Sequence, residues 1–494
     1  DLDACTRCNA CIKACPEHAI GFDYQIDLDR CRDHRDCVVA CGEVGAIDFD
    51  RKETLRSVKF DLVLDLQRKP QLSGYATPQG YYAPGADVVD QALAVAELAT
   101  VTGEFEKPRY FAYKASICAH ERSQKQGCNA CIDVCSTRAI RADGDHVLVE
   151  PHLCMGCGAC STVCPSGAMS YAYPSVPDLA RTLRTLINTY VKAGGRDPCI
   201  LLHADDGREA IAQAARHGRG LPANVIPMEV HHIVSVGLDV WLSALAYGAA
   251  RVAVLATGDE APQYRETLHK QMEIGDIIAN SLGYQGEHFR VVDADAAKFD
   301  SALWDWQPAL APRVAATFAG TAEKRTTLRL AIEHLAAHAP TPQARIALPL
   351  GAPFGAIDVN RDACTMCLAC AGSCPVGALT DSQEAPQLRF IETRCVQCGI
   401  CAVTCPEAAI TLRPGLGLTP DIKTSRLLNE AAVVGCIRCG KPLATEKMIN
   451  IMLAKLANHS MYAAAGALDR LKMCADCRVV DLYKSEQGVD VGGR

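Results

Sequence analysis

Several features that would place a chain in a common functional class are missing from these 494 residues. No stretch is long and apolar enough to span a bilayer: the most apolar region, Val234 to Ala256, is broken by Asp239 and Arg251. There is no run of lysine and arginine, and a net charge of -7 leaves no electrostatic footprint for nucleic acid. No G-x-G-x-x-G follows a predicted strand and no P-loop occurs, which argues against a dinucleotide or nucleoside triphosphate site. No paired nucleophile and base, and no flavin fingerprint, points to bond-making chemistry. The chain also lacks an initial methionine. Asp1 stands four positions before the first motif cysteine, so further residues of the natural chain, with any targeting signal, are expected before it.

What the chain has in abundance is cysteine, 28 in all, in tight metal-ligand spacings. Such spacing in a chain with room for about three or four domains points to a reducing compartment, most simply the cytoplasm. The organising stretch runs from Cys364 to Pro406 and reads CTMCLACAGSCP, a gap of nineteen residues, then CVQCGICAVTCP. In each C-x2-C-x2-C-x3-C-P half, three thiolates converge on one 4Fe-4S cube and the fourth reaches the neighbouring cube. Crossing therefore predicts Cys364, Cys367, Cys370 and Cys405 on one cube and Cys395, Cys398, Cys401 and Cys374 on the other. Neither a disulfide framework nor zinc knuckles explains these offsets followed twice by proline.

Two further blocks vary the same pattern. In Cys118 to Pro165 nine residues separate Cys118 from Cys128 in the first half, where the regular spacing has two. The crossing rule predicts Cys118, Cys128, Cys131 and Cys164 on one cube, and Cys154, Cys157, Cys160 and Cys135 on the other. The first block gives Cys5, Cys8, Cys11 and Cys41, and then Cys15, Cys31 and Cys37 with His34 in the slot of the missing cysteine. Three outcomes stand at His34: an imidazole ligand, a three-iron cluster lacking that corner, or a full cube with a small exogenous ligand. A neutral imidazole in place of a thiolate stabilises the reduced cluster and raises its potential. The bland reading is a solvated His34 among Arg32, Asp33, Arg35 and Asp36. After the last cysteine of five half-motifs come PEHAI, STRAI, PSGAM, PVGAL and PEAAI, with GEVGAI after Cys41, a small residue and then an apolar one at a fixed offset. One two-cluster unit repeated three times is the expectation.

Between the first two blocks, Val58 to Leu66 alternates like a strand, Gln67 to Gly85 reads as a loop, and Val88 to Leu98 as a helix. Tyr75, Tyr81 and Tyr82 there are expected to pack and not to act in redox chemistry. From Pro177 to Trp306, strands at Cys199–His203, Asn224–Glu229, Arg251–Ala256 and His288–Val292 alternate with amphipathic helices, the pattern of a parallel α/β sheet. Cys199 reads as inert core. The neighbouring His231 and His232 point their rings apart, a poor metal pair. Residues 307–350, with a helix at Leu328 to Ala337, read as a return linker. The tail carries CIRCGKP and CADC, whose Cys436, Cys439, Cys474 and Cys477 suit one tetrahedral zinc, with a seventh iron cluster as the rival.

The three blocks resemble bacterial two-cluster ferredoxin domains strung into a polyferredoxin. The middle region, on PMEVHHIVSVGLDVWLSALAYGAARVAVLATGD, resembles the delta subunit of methyl-viologen-reducing hydrogenases and the domain linked to heterodisulfide reductases. That family carries a 2Fe-2S cluster in this domain. Thr257 and its neighbours stand here where thiolates would be expected, so the resemblance implies the fold and not the cluster. The predicted fold is three α+β ferredoxin-like dicluster modules (1–56, 114–175, 351–413), an insertion (57–113), an α/β flavodoxin-like parallel-sheet domain (176–306), the linker (307–350) and a small helical zinc-knuckle tail (414–494). Six iron–sulfur clusters, mostly 4Fe-4S, and one zinc are expected. The function read from this is an electron-transfer subunit between a catalytic oxidoreductase subunit and another redox partner. The resemblance implies partners of the formate dehydrogenase or disulfide reductase kind, carrying molybdenum, tungsten or flavin. A flavin-binding catalytic subunit and an iron–sulfur sensor or interaction protein are the alternatives.

Overall fold

Four short apolar runs, Cys199–His203, Val225–Glu229, Arg251–Ala256 and Phe289–Asp293, pair in parallel in the order second, first, third, fourth. Every residue of the first and third strands is buried, as expected for central strands covered on both faces. Helices Val176–Lys192, Asp205–His217, Leu238–Ala246 and Pro262–Ser281 alternate with them. The Leu238–Ala246 helix is buried along its whole length, Asp239 included. An apolar run without a polar face thus becomes a core helix. A computed structural model of the chain describes all residues except 3, 51–57, 59, 73–79, 104–107, 259, 308, 383–384, 463–465 and 488–494. Among them, no helix is long and apolar enough to cross a membrane.

The helix expected in the linker runs Lys324–Ala337, and Leu328, Ala331, Ile332 and Leu335 sit in the α/β core with Trp241 and Leu245. It is a wall of that core and not a tether. The apolar positions recur at three- and four-residue intervals, and burying that stripe is what holds the helix in place.

The chain divides into two compact units, Asp1–Leu62 and Val63–Arg494. In the first, short helices Ala10–Ala14 and Asp36–Cys41 pack together, and Ile20 and Ile26 form a lone antiparallel bridge. The second opens with Val63–Leu64 paired to Tyr81–Tyr82 and a helix, Val88–Thr100, capped by the Asp87 carboxylate on the amides of Val89 and Asp90. Tyr81 donates to the Asp65 carboxylate, a packing role; Tyr75 lies outside the described residues.

Each of the other two cysteine blocks is built alike. In one, Phe111–Tyr113 pairs with Met169–Tyr171 and Ile140–Asp143 with His146–Val149, over helices Ala130–Val134 and Ala159–Val163. In the other, Gly355–Val359 pairs with Ile410–Pro414 and Leu379–Thr380 with Gln387–Phe390, over Ala369–Ser373 and Ile400–Thr404. Arg426–Glu430 then adds to Gln387–Phe390, so the tail begins as part of that sheet. The tail is less helical than its sequence implies: Val433–Gly435 and Pro442–Thr445 form a hairpin before helices Glu446–Leu456 and Ala475–Gln487. The hairpin exists because the Cys436–Gly440 turn folds back, with the Cys436 amide on the Lys441 carbonyl and Gly440 at a φ of 73°.

The nine residues between Cys118 and Cys128 also have a structure. Glu121–Arg122 and Lys125–Gln126 form a small hairpin that packs on the Ile400–Thr404 helix of the other block. Gly127 closes it. A Cβ there would stand 2.4 Å from Ile400 Cγ1 and 2.6 Å from the Ala119 carbonyl oxygen. Gly127→Ala is therefore expected to destabilise the Val63–Arg494 unit by about 1–3 kcal/mol through overpacking, read as a lower thermal midpoint under anaerobic conditions. An unchanged midpoint would show that the two blocks do not depend on this approach.

Candidate metal centres

The backbone of five of the six half-motifs is bent by the same device. In four halves, the residues flanking the second cysteine both lie in the left-handed region: Arg7 and Asn9 about Cys8, Gly156 and Gly158 about Cys157, Met366 and Leu368 about Cys367, Gln397 and Gly399 about Cys398. Most of these are not glycine, so the conformation is costly and is held by its surroundings. The same pair, Asp33 at 55° and Arg35 at 63°, flanks His34. The structure thus puts His34 in the second-ligand position of its half-motif. Its imidazole is half-exposed, with Nε2 4.0 Å from a Glu17 carboxylate oxygen.

The thiols gather in groups. One cavity is lined by Cys364, Cys367, Cys370 and Cys405 with apolar Val359, Leu388 and Ile410. A second is lined by Cys374, Cys395, Cys398 and Cys401 with Ile357, Phe390 and Leu412. Burial raises Cys131 to about 12, and the thiols that add to the shift are Cys164, Cys128 and Cys118. Around buried Cys160 the neighbours are Cys157, Cys131, Cys154 and Cys135. In the Asp1–Leu62 unit, burial also raises Cys11, with Cys5 and Cys41 beside it, and Cys37, with Cys15 and Cys31 beside it. Four thiols crowded in an apolar cavity are unfavourable as an isolated set, and their common remedy is a bound metal that takes the thiolate charge. The donor sets fit iron–sulfur clusters.

The repeated small residue has a plain cause. The amides of Ala19, Ala139, Ala378 and Ala409 donate to the sulfurs of Cys15, Cys135, Cys374 and Cys405 at 3.2–3.3 Å. Met169 does the same for Cys164 at 3.3 Å. These alanines are nearly wholly buried, so a larger side chain would push the amide off the sulfur.

The two blocks of the Val63–Arg494 unit adjoin each other and the α/β domain through their cysteines. Burial lifts Cys398 to about 11, and among the thiols beside it, after Cys395 and Cys374, is Cys128 of the other block. At the opposite end, the Tyr264 hydroxyl on the Pro262–Ser281 helix lies 3.2 Å from Cys157 Sγ as donor and also hydrogen-bonds Ser136. His232 stands edge-on to Tyr264 and accepts from the Val234 amide, while His231 stacks on Tyr110 with ring centroids 5.1 Å apart, so the two histidines do face different ways. Cys199 is fully buried in the sheet and raised to about 11 by that burial.

In the tail, Cys436, Cys439, Cys474 and Cys477 bring their sulfurs within 4.8 Å of one another. Backbone amides, first that of Cys474, hold Cys436 down to about 6. The tail is tied to the Cys364 region by the Thr445 hydroxyl, which donates to the Thr365 carbonyl at 3.1 Å.

Three functional side chains were not legible in the sequence. Tyr264, Lys324 and Arg325 carry no motif, and only the tertiary structure brings them to the cysteines. Lys324 donates to the carbonyls of Ser161, Thr162 and Cys164, and Arg325 to those of Pro353, Thr393 and Cys395.

Residues 126–168 match the family described as a 4Fe-4S dicluster domain, and residues 1–21, 353–380 and 388–411 match the 4Fe-4S binding domain. The chain therefore carries ferredoxin-type 4Fe-4S domains in both of its compact units, and these support an iron–sulfur electron-transfer role. Among individual proteins, it is similar to a ferredoxin of Hydrogenibacillus schlegelii named as a 7Fe ferredoxin, at 37% identity over 49 residues. That match spans 62% of the relative and 10% of this chain.

Hydrogen bonds to a cluster sulfur favour the reduced, more negative state. Tyr264→Phe is expected to lower the midpoint potential of a cluster held by Cys157 and to leave the others in place. Spectroelectrochemistry with no shifted wave would remove the hydroxyl from the account.

Proposed function

We propose that the chain is the electron-wiring subunit of a larger oxidoreductase, passing single electrons between a catalytic subunit and another redox partner. The observation that carries this is the packing of the two blocks at Gly127 and Ile400, with Cys128 beside Cys398, which supports reading four thiol sets as one continuous series. From the α/β domain outward the order is Cys135/Cys154/Cys157/Cys160, Cys118/Cys128/Cys131/Cys164, Cys374/Cys395/Cys398/Cys401, and Cys364/Cys367/Cys370/Cys405. When bound, a 4Fe-4S cube takes up or gives one electron with little rearrangement. The protein supplies the rest: burial, amides aimed at sulfur, and a fixed series of sites.

The Asp1–Leu62 unit adds two clusters in this reading, one at Cys5, Cys8, Cys11 and Cys41, the other at Cys15, Cys31 and Cys37. The left-handed pair about His34 supports an imidazole as the fourth ligand of the second. A relative named for seven irons keeps the three-iron form in view. His34→Cys is expected to lower the potential of one cluster; a variant unchanged in potential and in cluster type would sink histidine ligation.

For the tail we infer one metal ion, most simply zinc. Four sulfurs on a single tetrahedral zinc lie about 3.8 Å apart, from Zn–S bonds of about 2.3 Å. The observed spread of no more than 4.8 Å supports that, whereas a cube seats each thiolate on its own iron and spreads them further. Cys436→Ser should release zinc and spare all iron. Loss of iron instead would mean a seventh cluster.

The α/β domain, with the ends of its strands toward Tyr264 and Cys157, serves as the docking body for a partner carrying molybdenum, tungsten or flavin, in a reducing compartment such as the cytoplasm. The test is anaerobic affinity purification of the tagged chain from its own cells, with protein identification and a stoichiometry of Fe, Zn, Mo, W and flavin. Stoichiometric recovery of a molybdenum, tungsten or flavin subunit is the expected result. Recovery of the chain alone with its iron intact would overturn the subunit reading.

A further inference from the structure

Lys324 and Arg325 open one helix but reach into different blocks. The Lys324 ammonium has three N–H groups and three carbonyl acceptors, Ser161 at 2.8 Å, Thr162, and Cys164 at 3.2 Å. Those carbonyls end the Ala159–Val163 helix, where the backbone dipole is negative. Burial works against the Lys324 charge, while Asp239 and the thiols of Cys164 and Cys160, one from each thiol set of that block, favour it. Arg325 lies over the Phe354 ring at 4.9 Å and donates to Pro353 at 2.8 Å and to Thr393 and Cys395 at 3.2 Å, with its charge beside the Cys395 thiol. Buried Asp239 faces Lys324, and Arg329 adjoins Arg325. Around Cys370 the charged neighbours are the thiols of its own set, Cys364, Cys367 and Cys405, and the Lys447 ammonium, on the carbonyls of Arg361 and Asp362, sits at the exposed surface where solvent screens it.

A fixed cation in a partly buried site stabilises the state with one more negative charge. The attraction is larger there than in water because the effective dielectric constant falls to about 20. We propose that Lys324 and Arg325 are positioning residues for electron transfer: they lock the two blocks together and raise the reduction potentials of the three clusters they adjoin. The cluster at Cys364, Cys367, Cys370 and Cys405 is left as the low-potential end. This rests on the relay reading above, and adds to it a direction of potential along the series. The half-reaction concerned is one electron added to one oxidised cluster, from dithionite in the titration, with no bond made or broken.

The experiment is an anaerobic, EPR-monitored redox titration of the full chain as purified, in wild type, Lys324→Met, Arg325→Gln and Lys324→Arg, each after its iron and sulfide have been counted. Lys324→Met keeps an unbranched side chain and removes the charge. It is expected to move two waves to lower potential, and Arg325→Gln one other wave, while Lys324→Arg restores the wild-type positions. Full iron with unmoved waves would overturn the inference. So would equal shifts in Lys324→Met and Lys324→Arg, because packing and not charge would then be responsible. If the charge-removing variants lose their clusters, the wild-type titration compared with that of Cys367→Ser still decides. The wave abolished by Cys367→Ser must be the lowest of the four belonging to the Val63–Arg494 unit, and a higher position contradicts the proposal. Iron in wild type too low for clusters at these cysteines would instead overturn the relay reading itself.

Discussion

Everything in this protein follows from the difficulty of holding many sulfurs together inside a fold. A buried thiolate set needs compensating charge from a metal, and donors for the lone pairs that the metal does not use. The backbone supplies those donors. Left-handed residues on either side of the second ligand turn the chain around the site, and an alanine amide reaches the fourth sulfur from the next turn. Neither element depends on large side chains, which is why such short helices and two-residue strands suffice.

Small cysteine modules have little core of their own, and here a larger body holds them. The α/β domain has the extensive core, with Trp241, Leu245 and Ile278 among its buried residues. The Lys324–Ala337 helix belongs to that core, and its first two residues reach into both blocks. The hairpin after Cys118 closes the other side of the joint at Gly127 and Ile400. An electron relay needs fixed spacing between centres, and a joint made from a rigid helix, a hairpin and paired cations fixes it better than a flexible linker would.

Local pattern carried far in the sequence. The parallel strands to within a residue and the proximity of Cys436, Cys439, Cys474 and Cys477 were legible, because spacing and periodicity decide them. The role of the region 307–350 was not, since its Ala- and Pro-rich composition looks like a linker until Leu328, Ala331 and Leu335 are seen in the core. The hairpin after Cys118 was likewise hidden: an insertion reads as slack, and only Ile400 explains it. Tyr264, Lys324 and Arg325 act through tertiary contacts hundreds or scores of residues away, for which no motif exists.

The central claim is that this chain stores and passes electrons one at a time through six iron–sulfur sites. Its most direct measurement is an anaerobic coulometric titration of the purified chain, alongside its iron and sulfide content. The account predicts about 24 iron atoms, or one fewer if the His34 corner is vacant, and about six one-electron equivalents. Iron for only two or three clusters, or uptake confined to one or two electrons, would contradict it.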